Sequence, residues 1–497
     1  MLEYRKTTGR RELLARAGAL AAAVLAAPAT SAASAASAES DREAVVVRSL
    51  ERNAHSLRST EPDGRTTDLR ALSTMLADAK VVGLGEATHG SHEFFAMKER
   101  VFRHLVEERG FTTFALEMSW SAGLRIDAYL QGGTGDPRSI AEETLAGSPW
   151  EREEFVSLIG WMREHNRHHP GHRVHFMGDD LGAPGLGDHI FERVLSSVRG
   201  TRPEALPRLT ELYTTLRPFD DVFAYLRKPL AERRENAARA QEALDLVSEY
   251  EEAGDDEYAW TVRHARNIAQ TFAFATVDLA DPASVTAAER LRDQAMADNV
   301  LWWQRHTGHR MLLSAHNGHI GYLSTHPDMY PRTQGAVLRE SLGRDYAAIG
   351  FSFAGGSFLT KDTSLDGEWK PVTVPAAPPG TNEYTLDRVR YRDFYLDLRT
   401  TPAAARTWLA RARPTYDAGS TFTPAPPARP LPRAGLRHPD PPPPGPGGGP
   451  AHGGRGERPV RPSPRPALTP RTYTRAVTNA AVSPHRGGCS SRRSWSC

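Results

Sequence analysis

Cysteine is nearly absent. The 497 residues hold two, Cys489 and Cys497, both close to the C-terminus. The rest of the chain therefore offers no disulfide, no thiol nucleophile and no thiolate metal site. Long apolar runs are scarce as well: the longest, GALAAAVLAAPA at 18–29, is short for a membrane span. A serine-hydrolase elbow is also missing, since the nearest match, Gly350-Phe351-Ser352-Phe353-Ala354, lacks its final glycine and leads into strand-like sequence. Net charge is only +2, but it is unevenly spread. Residues 423–497 carry twelve Arg against Asp440 and Glu457, and the first 38 residues have five basic against two acidic side chains. That leaves about −11 for residues 39–422. An acidic body has no electrostatic footprint for nucleic acid.

The composition divides the chain. Residues 1–38 run from a basic patch through the apolar stretch to SAASAASA, the order of a secretory signal peptide, and Arg10-Arg11 gives it a twin-arginine character. The expected location is secreted or cell-envelope, with no stable membrane insertion after the signal is removed. Residues 39–184 and 309–422 read as two parts of an α/β catalytic domain, a parallel-type sheet flanked by helices, with a small α+β part at the C-terminal end. Between them, residues 185–308 have helical periodicity throughout and form a large helical insertion. Residues 423–497 are a Pro/Gly/Arg-rich tail, expected to be disordered because it cannot bury a core.

Four apolar runs read as strands: 79–85, 111–117, 172–178 and 309–315. Each opens into ionisable residues. The first leads to Glu86 and His89, the second ends on Glu117, the third meets Asp179-Asp180, and the fourth meets His316-Asn317-Gly318-His319. In a parallel sheet these ends share one edge, where open α/β folds place their ligand site. Lys98 falls between Phe102 and Leu105 on the apolar face of the helix after the first strand, so it must snorkel or meet a buried carboxylate.

These residues suit acid–base chemistry. A carboxylate beside an imidazole raises its basicity and orients it to take a proton from water, and a nearby cation steadies the resulting oxyanion. The catalytic candidates are His89, Glu86, Glu117, His316, His319 and Lys98, with Asp179, Asn317 and Arg292 expected to contact substrate. No cofactor is required. A divalent metal is the alternative, held by His89, Glu117, His316 and His319. A non-catalytic cell-wall or polysaccharide-associated protein is a third reading, disfavoured because all the ionisable groups are present. GLGEATHG is a poor dinucleotide fingerprint, because Glu86 would face pyrophosphate with the wrong charge.

The segments GLGEATHGSHEFFAMK, the strand ending in Glu117, WEREEFVSLIGWMREHN (150–166), FMGDD, RDQAMADNVLWW (292–303) and SAHNGHIG, in this order, resemble the erythromycin esterase family and its succinoglycan biosynthesis protein relatives. The resemblance covers about residues 50–420. It implies an α/β fold with a helical insertion, and a small-molecule ester or macrolide lactone as substrate. It also implies His89 as general base for water attack, Glu86 and Glu117 as the paired acids, and His316 and His319 as the histidines of the HNxH motif. The macrolide-cleaving members carry arginine where this chain has Lys98, which keeps the charge and loses the planar fork.

Replacing Arg10 and Arg11 together by lysine is expected to leave the protein inside the cell with its signal uncut, read by fractionation and immunoblot. Normal secretion of that variant would point to the general secretory route instead.

Overall fold

The computed structural model describes residues 29–250, 255–361, 367–420, 422 and 474–479. Residues 1–28 of the expected signal lie outside them, as does most of the expected tail. The chain divides into two compact units, Met1–Ala44 and Val45–Cys497, and the second carries the sheet. Among the described residues no helix is long and apolar enough to cross a membrane.

The strands are β1 (Ala54–Ser56), β2 (Val81–Leu84), β3 (Phe111–Ser119), β4 (His175–Asp180), β5 (Arg310–Ser314), β6 (Tyr346–Phe353), β7 (Gly356–Thr360), β8 (Lys370–Val374), β9 (Phe394–Asp397) and β10 (Thr474–Asn479). The main sheet has the order β1-β9-β10-β6-β2-β5-β3-β4, and β7 and β8 form a separate antiparallel pair. The run from β6 to β4 is parallel throughout. Chain order and spatial order diverge at β2 and β3, which leave a place between them that β5 later fills. Such a switch point is where an open sheet leaves a crevice at its carboxyl edge.

Both faces of this sheet are covered, and the strands alternate accordingly. Val81, Ala115, Met311, Leu313 and Ala348 face one core, while Val82, Phe114, Leu116, Leu312 and Ile349 face the other. The first core is closed by six helices between Asp188 and Thr307, in the stretch read as a helical insertion. The second is closed by the helices His92–Arg109 and Glu153–His168. Gly110, at φ 64°, stops the first of these in the left-handed conformation that glycine adopts without penalty. A small third core, around Leu386, Phe394, Leu396 and Trp408, belongs to the C-terminal α+β part.

One expectation needs correction. Thr474–Asn479 lies within the stretch read as a disordered tail, yet its backbone runs antiparallel to β6 and parallel to β9. It belongs to 471–483, the longest part of the tail without proline or glycine, and two open strand edges offer it a place.

Candidate functional site

After β2 the chain turns through residues 85–91 before the helix His92–Arg109 begins. The glycines of this turn allow close approach. A side-chain carbon on Gly90 would stand 1.6 Å from the Leu359 carbonyl oxygen, and one on Gly85 would stand 2.2 Å from Asn317 Oδ1. The turn is also tied down from the far end of the domain. His89 N donates to the Gly419 carbonyl at 3.0 Å, and Ala418 N donates to that of Ala87 at 2.8 Å.

The turn holds a three-membered relay. Lys98, 1 % exposed in the helix, forms a buried ion pair with Glu86 Oε2 and donates to Ser314 Oγ at 2.9 Å. Glu86 Oε1 lies 2.7 Å from His89 Nδ1. Burial alone would raise the Glu86 pKa, but the Lys98 ammonium and the His89 ring outweigh it and hold the carboxyl below its ordinary 4.5. Lys98 itself is pulled below the usual lysine range by burial, with the Glu86 charge opposing. An ionised Glu86 only accepts, so Nδ1 of His89 carries a proton, and in the tautomer with one proton Nε2 has the lone pair. Among the described residues nothing bonds to that Nε2. The ring packs edge-on against Trp150, centroids 5.9 Å apart, and lies 5.2 Å from the His316 ring.

A second cluster surrounds Glu117 at the end of β3. Its Oε2 accepts from His316 N at 2.8 Å, and its Oε1 is 3.0 Å from Arg292 Nη2 and 3.2 Å from His319 Nε2. Arg292 also grips Asp180 with Nε at 3.1 and 3.0 Å. His319 Nδ1 donates to Asp293 Oδ1 at 2.7 Å. Burial opposes charge on His319, but Glu117 and Asp293 raise its pKa well above 6.5. Its Nε2 forms an ion pair with Glu117 and lies 3.3 Å from Arg292 Nη1, so the ring and the guanidinium share that carboxylate. Glu117 is buried too, and His319, His89 and Arg292 hold it well below 4.5.

His316 is fixed differently. Gly318 N donates to its Nδ1 at 3.2 Å, which leaves the proton on Nε2, 2.9 Å from Asp417 Oδ1. That contact is an ion pair without good hydrogen-bond alignment. Burial lowers the His316 pKa, but Asp417, Glu117 and Glu86 turn the balance upward.

The structure brings His89, Glu86, Lys98, Glu117, His316, His319 and Arg292 to one sheet edge, and it revises several expected roles. Asp179 is fully buried and accepts from Gln334 Nε2 at 2.6 Å, so it has no face for substrate. Burial, with the charges of Asp180 and Glu117, pushes its pKa well above 3.8. Asn317 spends its amide on the backbone of Phe351, at 2.7 and 3.0 Å, and clamps the edge rather than a ligand. Arg292, expected to contact substrate, is held on several sides by Asp180, Glu117 and His319, with a fifth of its side chain exposed. The conditional metal set does not converge. Among the described residues no group of three or more His, Cys, Asp or Glu is placed to hold a metal ion. Arg292 already fills the cationic position beside Glu117 and His319, and one ring nitrogen of His89 is committed to Glu86.

Asp180, Asp293, Asp417, Ser314 and Trp150 are the site residues that sequence reasoning missed. Asp293 follows Arg292 in a helix and Ser314 ends a strand, which are usable signals. Asp417 has none, because it reaches His316 from 101 positions away along the chain.

A model of the erythromycin esterase family matches residues 106–429. Erythromycin esterase type II of Escherichia coli is 25 % identical over 326 residues, 59 % of this chain and 74 % of that one. The crystal structure of a succinoglycan biosynthesis protein superposes with a TM-score of 0.67 at 30 % identity, covering 76 % of this chain and 92 % of that one. A mutant of the erythromycin esterase EreC in its open conformation shares the fold, with a TM-score of 0.56 at 18 % identity over 73 % of this chain and 93 % of that one.

Two outcomes are expected from this geometry. Lys98→Met strands a buried carboxylate and should cost about 3–5 kcal/mol in chemical denaturation, while Lys98→Arg, which keeps the charge, should cost less. A neutral result for Lys98→Met would mean that Glu86 is not ionised. In pH-dependent melts, Glu86 and Glu117 bind protons less readily folded than unfolded. Their contribution is complete above their ordinary 4.5 and is lost as pH falls through the lower folded values. His319 behaves oppositely: its contribution is complete below 6.5 and is lost as pH rises through its raised folded value. Glu117→Gln should flatten the acid limb, and an unchanged limb would remove Glu117 from this role.

Proposed function

Because the chain belongs to the erythromycin esterase family, we propose that it is an exported hydrolase cleaving a carboxylic ester or lactone by direct water attack, with His89 as the base. The observation that carries this reading is the His89 ring, bound at Nδ1 by a buried carboxylate and open at Nε2. Nε2 takes a proton from water as its oxygen bonds to the acyl carbon. The tetrahedral intermediate then collapses, the carbon–oxygen bond of the alcohol breaks, and the departing oxygen recovers the proton from Nε2. An acid and an alcohol are released, and no covalent enzyme intermediate forms.

Glu86 keeps the ring in its Nδ1–H form and stabilises it when Nε2 is protonated. Lys98 keeps Glu86 ionised although the carboxylate is fully buried. Positive charge for the oxyanion comes from the cluster on Glu117, where carboxylates hold Arg292 and His319 charged. A macrolide lactone, the substrate class that the family name points to, belongs to this chemistry.

The test is a panel of aryl esters and macrolides with purified variants. His89→Ala should lower kcat by roughly two to four orders of magnitude with the fold intact, the usual contribution of a positioned base. Glu86→Gln should cost less, and the double variant should lose clearly less than the product of the two. Hydrolysis by His89→Ala at the wild-type rate would refute the mechanism.

A further inference from the structure

We propose that Arg152, with Trp369 and Trp150, forms a subsite for a carboxylate on the substrate, so that the ester cleaved is a half-ester of a dicarboxylic acid. The inference rests on the hydrolase reading above and specifies its substrate.

Arg152 sits in the turn that precedes the helix Glu153–His168. Its backbone N–H donates to the Trp150 carbonyl at 2.8 Å and its Nε to the Pro149 carbonyl at 2.6 Å. The guanidinium carbon lies 4.9 Å from the centroid of Trp369 and 6.0 Å from that of Phe95. The Nζ of Lys361 approaches the same Trp369 ring at 5.5 Å. Among the described residues Arg152 forms no ion pair, and its two terminal nitrogens have no acceptor. The acids whose charge reaches it are Glu154 and Glu86. Glu154 is bound by His92, and Glu86 is closed off by Lys98 and His89.

A half-buried guanidinium without an anion is a costly arrangement to maintain. Burial accordingly holds its pKa below the ordinary arginine value. The guanidinium carbon stands over the Trp369 ring, and the two terminal nitrogens remain for a planar, two-oxygen anion. Next to it, Trp150 is 7 % exposed, its indole Nε1 is buried with no acceptor, and its ring edges onto His89. The Trp150 ring thus joins the turn that carries Arg152 to the His89 ring. One guanidinium matches a single negative charge, and the carboxylate of a half-ester supplies it while the ester carbonyl faces His89. A neutral ester leaves the guanidinium without its anion.

Initial rates on aryl half-esters of succinic, glutaric and adipic acid, against aryl esters of the matching monoacids, test the subsite. For wild type, kcat/KM should favour at least one half-ester by roughly ten- to a hundred-fold, the range of a charge-assisted contact. In Arg152→Ala that preference ratio should collapse toward one, and Arg152→Lys should recover part of it. No preference in wild type, or an equal loss on both series in Arg152→Ala, overturns the subsite. If neither series is hydrolysed, the hydrolase reading fails on its own, and calorimetry still decides the subsite. Monomethyl adipate should then bind wild type and not Arg152→Ala, with dimethyl adipate binding neither. Equal binding of the two ligands overturns it.

Discussion

The buried ion pair between Lys98 and Glu86 is the contact on which the site depends. Each partner alone would be costly at its position, since Lys98 sits among apolar residues of a helix and Glu86 is fully buried beneath the turn. Together they fix the helix His92–Arg109 against the end of β2 and leave Glu86 with one oxygen for His89. The same pair reaches Ser314 at the end of β5, so two neighbouring strands are held to one point. A pairing of this kind contributes little net stability but selects one arrangement over others. Here the arrangement selected is the orientation of an imidazole.

The two histidine clusters differ in charge rather than in composition. His89 has one carboxylate partner and an open nitrogen. His319 has two, Asp293 and Glu117, and both of its nitrogens are occupied. The same side chain thus keeps one nitrogen without a protein partner in one place and is favoured in its charged form by two carboxylates in the other. Arg292 stands between these functions, because it fixes Glu117 and Asp180 on neighbouring strands and keeps positive charge along the edge.

Much of this was legible in the sequence because it is local. The strands that carry Glu117 and Asp179, and those that lead into Glu86 and His316, follow from apolar runs, and Lys98 stands out because it interrupts an apolar stripe. Where partners come from elsewhere in the chain, sequence reasoning failed. It selected Asp179 of the pair at 179–180, but successive residues of a strand point to opposite sides, and the register of β4 beside β3 turns Asp180 toward Arg292. Asn317, between two histidines, looked like a ligand contact, yet β6 beside β2 offers it a backbone to clamp. Strand β10 was masked by the composition around it.

The stitching of residues 417–420 onto the turn that holds His89 has a consequence for biosynthesis. Ala418 and Gly419 bond to Ala87 and His89, Lys361 N donates to the Ser420 carbonyl, and Asp417 pairs with His316. These residues leave the ribosome more than three hundred positions after the histidine they fasten. Until they arrive, His89 and His316 lack the backbone and the charge that position them. A nascent or truncated chain can therefore complete most of its sheet and still lack this fastening, so the geometry of the turn that holds His89 is a late property of this polypeptide, acquired only when residues 417–420 reach residues 85–91.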